Sequence, residues 1–162
     1  MTGVQHVEIK NRQAQFKFDL YRNITIVSGD SGTGKTTLFE MVADFGRLGE
    51  ASGIQLRCDK KCVALTDTDW QHQLSNTKDS IVFADEGAAY VSSHDFAAAV
   101  KASDNYYVLF YRENLHELPY SVEEIYEIKT SGKYHLFKHK YDRRSKSQFH
   151  PLLPQDIVLD TA

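Results

Sequence analysis

The stretch TIVSGDSGTGKTTLFEMV, Thr25 to Val42, constrains this chain more than any other, because it forces a tight glycine-rich loop between two regular elements. Gly29, Gly32, Gly34, Lys35 and Thr36 satisfy the spacing G-x-x-x-x-G-K-[ST] without a mismatch. Glycine is needed where the backbone visits positive φ and where a Cβ would hold a ligand away from the amides. A loop built so presents successive N–H groups, and the amino terminus of the following helix adds its own unpaired donors and dipole. The spacing predicts an anion cradle for a polyphosphate. Its residues are Gly29, Asp30, Ser31, Gly32, Thr33, Gly34, Lys35, Thr36 and Thr37, with Lys35 placing positive charge at the β- and γ-phosphates and the Thr36 hydroxyl on Mg²⁺.

The flanks agree with that reading. Ile24 to Val27 read as a short buried strand, and Leu38, Met41, Val42 and Phe45 recur at helical spacing until Gly46 and Gly49. Upstream, VQHVEIKNRQAQFKFDLYRN alternates in two stretches, which predicts a strand pair turning through Asn11 to Gln13. IQLRC and CVALT read as strands joined by a charged turn, and DTDWQHQLSNTKDS as a polar stretch with a short helix. SIVFADEGAAY, from Ser80, is an apolar run ending in two acids, the pattern of a buried strand with its carboxyl end at Asp85. An alanine-rich helix follows, with Ser93 as its N-cap, and then the buried strand of NYYVLFYREN. After Pro119, alternation around Ser131 and Gly132 predicts a hairpin. Strand and helix in alternation argue for a parallel α/β sheet, whose ligands bind at the carboxyl ends of the strands.

Asp85 and Glu86 then complete the loop chemically. An acid at this strand end can bind Mg²⁺ or its water, and Glu86 can take a proton from an attacking water or orient it. With Gly29 to Thr37 as a Walker A loop and Ser80 to Glu86 as a Walker B strand, the chain resembles a P-loop NTPase of the additional-strand, catalytic-glutamate branch, which includes the ABC-type and AAA+ ATPases. The resemblance covers about residues 4 to 116. It implies a three-layer P-loop NTPase fold with a mainly parallel central sheet, here carrying an N-terminal strand pair and a C-terminal β-hairpin. It also implies Mg²⁺-dependent ATP hydrolysis, with Glu86 and Lys35 catalytic and Thr36 and Asp85 at the metal. The strand Tyr106 to Tyr111 is implied to lie beside the phosphate-loop strand and to end in a sensor of the γ-phosphate, for which Arg112 and Asn114 are similar in place and His116 lies further off.

Departures from the family narrow the reading. The interval before the acidic strand is too short for the helical lobe of a transporter ATPase, and QLSNTKDS carries only a Leu-Ser echo of its signature. No helical lid follows, as a full AAA+ motor would need, and no N-K-x-D run for guanine recognition is present. A small-molecule kinase of this length would need an arginine-bearing lid. The stretch before Arg143 and Arg144 reads as β instead. A nucleotide-binding switch with little turnover is the remaining alternative. Hydrolysis is expected to be slow in the isolated chain, since no arginine finger is identifiable in cis.

The chain of 162 residues suits one domain. No apolar run approaches the roughly 20 residues of a membrane span, and the amino terminus does not resemble a signal peptide, so a cytoplasmic protein is expected. Cys58 and Cys62 are expected to be reduced structural thiols, because His72 and the other histidines form no ligand-like spacing with them. Charge is uneven: residues 1 to 128 hold 12 Lys and Arg against 19 Asp and Glu, residues 129 to 162 hold 7 against 3. In the basic hairpin, residues 129–146, these cations interleave with Tyr134, Phe137 and Tyr141, and the tail 147–162 shows no period. A solvated sheet edge is the preferred use of that hairpin. Nucleic acid is the other, and Arg143 or Arg144 reaching a neighbouring protomer's phosphates a third. A protein partner or homo-oligomer is expected to complete the machinery.

Overall fold

The computed structural model describes residues 3–29, 34–66, 68–85, 88–111 and 118–141. Nine strands are joined in one sheet: β1 (Gln5–Lys10), β2 (Gln15–Leu20), β3 (Ile24–Ser28), β4 (Gln55–Arg57), β5 (Lys61–Ala64), β6 (Ser80–Ala84), β7 (Tyr106–Phe110), β8 (Ile125–Ser131) and β9 (Tyr134–His139). Across the sheet they run β4-β1-β2-β9-β8-β3-β7-β6-β5. The helices are α1 (Lys35–Leu48), α2 (Trp70–Ser75) and α3 (His94–Lys101), of 14, 6 and 8 residues.

The two outermost strands, β4 and β5, are consecutive in the chain, with only Cys58, Asp59 and Lys60 between them. Laid flat, eight strand spacings would put the edges about 38 Å apart. The link from Arg57 to Lys61 spans at most about 14 Å. The sheet therefore has to curl. What it curls around is α1: one apolar cluster contains Leu38, Met41 and Val42 of α1 and a residue from every strand, from Ile9, Phe18 and Val27 to Cys62, Phe83, Phe110, Ile128 and Phe137. On the other face α3 contributes Phe96, Ala97 and Val100, packed with Ile26, Val82 and Leu109.

The three-layer fold with a mainly parallel central sheet, expected from the sequence, is corrected by this architecture. The sheet is mixed, since β1 pairs with β2, β1 with β4 and β8 with β9 antiparallel, while the other pairings are parallel. The physical reason lies in the two hairpins. Both form where alternation placed them, but they do not hang off a central sheet. β2 and β9 pair side by side in parallel, Phe16 opposite His135, so the hairpins extend the sheet itself. Their aromatic faces, with Phe18 stacked on Phe137 at 4.2 Å and edge-on to Phe83 at 6.5 Å, then cover core that a helical layer would otherwise cover. Among the described residues three α-helices remain.

Local chemistry explains the element ends. Asn11 Oδ1 accepts from the backbone N–H of Gln13 and Ala14 at 2.8 and 2.9 Å, which turns the chain between β1 and β2. Gly132 takes φ 62° in the β8–β9 turn. Ser93 caps α3 as expected, accepting from Phe96 N–H at 3.0 Å. Asn105, buried at the start of β7, accepts from Ser80 N–H at 2.9 Å and donates to the Thr77 carbonyl at 3.1 Å, fixing β6 against β7.

Truncating Phe18→Ala empties a site touched by both hairpins and the central strands. Urea unfolding should show a loss of about 3–5 kcal/mol. A loss below about 1 kcal/mol would mean that the curl does not depend on that aromatic contact.

Candidate phosphate site

β3, Ile-Thr-Ile-Val-Ser, is wholly buried, and it delivers the chain to Gly29 at φ 125°. Residues 30–33 of the cradle, Asp30, Ser31, Gly32 and Thr33, lie outside the described residues. The chain resumes at Gly34, φ 104°, which caps α1 without a side chain, and Leu38 N–H donates to its carbonyl at 2.9 Å. The first turn that follows is Lys-Thr-Thr, with no acid to occupy its N–H groups. α3 is the contrast, with a serine cap and Asp95 in its first turn. The amino end of α1 thus keeps backbone donors that its own side chains do not fill.

Lys35 is only 2% exposed, and its ammonium donates to the Gly29 carbonyl. That bond closes the loop from one end to the other and holds a cation at the helix amino terminus. Thr36 and Thr37 are exposed on the same turn. Ser28, buried at the end of β3, has an Oγ without a hydrogen-bond partner among the described residues. It belongs to the loop's approach and was not singled out by the motif.

The acidic strand end lies at the same end of the sheet. β7 sits between β3 and β6 and is parallel to both, with Ile26 and Ala84 both opposite Leu109. Asp85, half-buried, follows one residue later, two strand spacings or about 10 Å from β3. Glu86, Arg112, Asn114, His116, Arg143 and Arg144 lie outside the described residues. Among the described residues no three His, Cys, Asp or Glu side chains cluster as a metal site. Thr36 and Asp85 would therefore hold Mg²⁺ only together with phosphate oxygens and water, a set that suits its preference for few protein ligands.

One neighbour of the loop was missed by sequence reasoning. A Cβ placed on Gly34 would lie 3.5 Å from His135 Nδ1 and 3.5 Å from the Phe16 ring. His135 stacks on Phe16 at 4.3 Å, and its Nδ1 is 2.7 Å from the Thr130 hydroxyl. The C-terminal hairpin therefore reaches the helix end of the cradle, through the β2–β9 pairing, and burial holds the His135 pKa below the ordinary imidazole value. Only the long-range strand pairing brings these residues together, and no local pattern announces it.

Elsewhere, a groove of about 500 Å³ runs between α2 and α3, lined by Trp70, Leu74, Lys78, Asp95, Ser103 and Asp104. It opens near the amino ends of β6 and β7, away from the phosphate loop. No helix among the described residues is long and apolar enough to cross a membrane. Compared with known proteins, the chain matches no family model, and no curated protein matches it significantly.

His135 gives the site a pH signature. Its folded pKa is depressed, so its contribution is present above the unfolded value, about 6.5, and is lost as pH falls through the folded one. Urea midpoints between pH 7 and pH 5 should fall more steeply for the wild type than for His135→Gln. Parallel slopes would show that His135 is not held neutral against Phe16.

Proposed function

We propose that this chain binds a nucleoside triphosphate, ATP foremost, together with Mg²⁺, and hydrolyses it slowly when alone. The observation that carries the proposal is the buried Lys35 ammonium. It is tied across the glycine loop to Gly29 at an amino terminus of α1 that no side chain of its first turn fills, at the same strand end as Asp85. A buried ammonium beside a helix amino terminus places positive charge and backbone donors on one spot, the combination that binds a polyphosphate. The reading rests on this local site and not on overall architecture, since function resides in sites that different folds can carry.

On this reading the loop amides and Lys35 bind the β- and γ-phosphates, and Thr36 and Asp85 hold the metal side. Bound Mg²⁺ would neutralise charge on the phosphate oxygens. Glu86 orients the attacking water and takes its proton, and Arg112 or Asn114 reports on the γ-phosphate. A partner or a second copy is expected to supply the missing cation. For the basic hairpin, the solvated edge remains preferred to a nucleic-acid contact.

Calorimetry with ATP in magnesium buffer should show saturable heat. Lys35→Ala should weaken binding by about 10- to 100-fold, the worth of a charge-assisted hydrogen bond. Glu86→Gln should keep the binding and lose at least about 100-fold in phosphate release. Absence of binding heat for the wild type defeats the proposal. Retained ATP with no phosphate release from the wild type would leave a switch, and label appearing on a small-molecule acceptor would make the chain a kinase.

A further inference from the structure

His135 and Thr130 oppose each other across the β8–β9 hairpin, as do Ile128 and Phe137 one step along, which belong to the core cluster around α1. Alternation therefore puts His135 and Thr130 on the same face, toward α1. The imidazole is pinned in two places. Its face lies on the Phe16 ring at 4.3 Å with 13° between the planes, and its Nδ1 is 2.7 Å from the Thr130 hydroxyl. Strand order sets Phe16 of β2 on one side of His135 and Thr130 of β8 on the other. The imidazole face turned away from Phe16 looks over a short side chain instead of a third ring. Thr130 is exposed and His135 half-buried, so a slot open to solvent lies there. It borders the phosphate loop: β8 pairs with β3 as far as Glu127 opposite Ser28 and then runs on to Ser131, past the point where the loop leaves β3. At the far end of the loop, Gly34 comes so near that a Cβ on it would meet both rings at 3.5 Å.

On the reading that this loop holds a nucleoside triphosphate, we infer that His135 is the platform on which the base stacks, with Phe16 backing the imidazole and Thr130 fixing its plane. The order of the strands sets the direction of the ligand. From β3, Asp85 lies two strands to one side, at the end of β6, and His135 two strands to the other, on β9. Each is about 10 Å from the loop strand. A triphosphate laid across the amino end of α1 with its γ end on the Asp85 side therefore extends its nucleoside toward β8 and β9.

The chemistry of the platform suits a base. Every base offers a π-face, and an aromatic ring already stacked on another presents a flat, rigid surface to it. Burial holds the imidazole pKa below its ordinary value, so at pH 7 the ring is neutral. Because its face and its Nδ1 edge are both engaged before any ligand arrives, it loses little rotamer freedom when a base settles on it. Thr130 serves by being small as well as polar, since a large side chain in its place would fill the slot.

Calorimetry of the full chain in magnesium buffer at neutral pH, with ATP and with ribose 5′-triphosphate, tests this. The two ligands share the ribose and all three phosphates and differ only in the base. The wild type should bind ATP about 5- to 100-fold more tightly, the range for one base stacked on one aromatic side chain. His135→Ala should lose that preference while holding ribose 5′-triphosphate as the wild type does. His135→Phe, which keeps a flat ring against Phe16, should retain most of the preference. An alanine variant that weakens both ligands alike would show that His135 only shapes the loop, and that result overturns the inference, as does an alanine variant that still prefers ATP. A wild type that binds the two ligands equally overturns it whether or not the variants fold, and leaves the phosphate site standing. A wild type that binds neither ligand defeats the phosphate site itself, and this inference with it.

Discussion

The burial of α1 inside a sheet whose two edges are tied by three residues is the constraint on which the rest of the structure depends. With the edge strands tethered, the sheet has no flat alternative, and a trough closed on one side must be filled. α1 fills it with Leu38, Met41 and Val42, while Phe16, Phe18 and Phe137 approach from the hairpins. The amino end of α1 is positioned by the same packing, so the geometry of the phosphate loop is a consequence of how the curl is stuffed. Side chains at the mouth of the loop, His135 and Phe16, come from strands far apart in sequence for the same reason.

Individual elements were legible in the sequence because their signals are local. Ile24 to Val27, Ser80 to Ala84 and Tyr106 to Phe110 are short, mainly apolar runs without charges, and each lies in a wholly buried strand. The Ser93 cap, the Asn11 turn and the Gly132 turn follow from side-chain chemistry within a few residues. The global layering was not legible. Nothing in QFKFDL or YHLFKH states that these strands will lie side by side in parallel, because pairing depends on a contact between segments separated by most of the chain. Alternation was correctly seen in both hairpins, but it does not distinguish a strand that joins the main sheet from one that stands apart. Likewise IQLRC and CVALT were read as two strands, yet their short link gave no sign that they lie at opposite edges.

The candidate site divides along the same line. Gly29, Gly34, Lys35 and Thr36 form a contiguous motif, so their association is fixed by covalent proximity. Asp85 lies at the same strand end through the β3-β7-β6 order, and the place of β7 beside β3 is what the resemblance had implied. His135 does not belong to any motif, and its position over Gly34 arises only from the register of β9 against β2. Cys58 and Cys62 are free thiols, as their spacing suggested, but the spacing did not tell that they flank the link between the two edges of the sheet.

The parallel pairing of β2 with β9 also bears on how the protein is made. Gln15 finds its partner, Tyr134, only after nearly the whole described chain has left the ribosome. Until then the N-terminal hairpin has one unpaired edge and a bare aromatic face, and the trough around α1 stands open. Such a topology postpones its cooperative step to the end of synthesis and makes loop closure the slow event, as long-range β pairing does in general. Until that pairing forms, the open strand edge is the part of the nascent chain most prone to unwanted pairing.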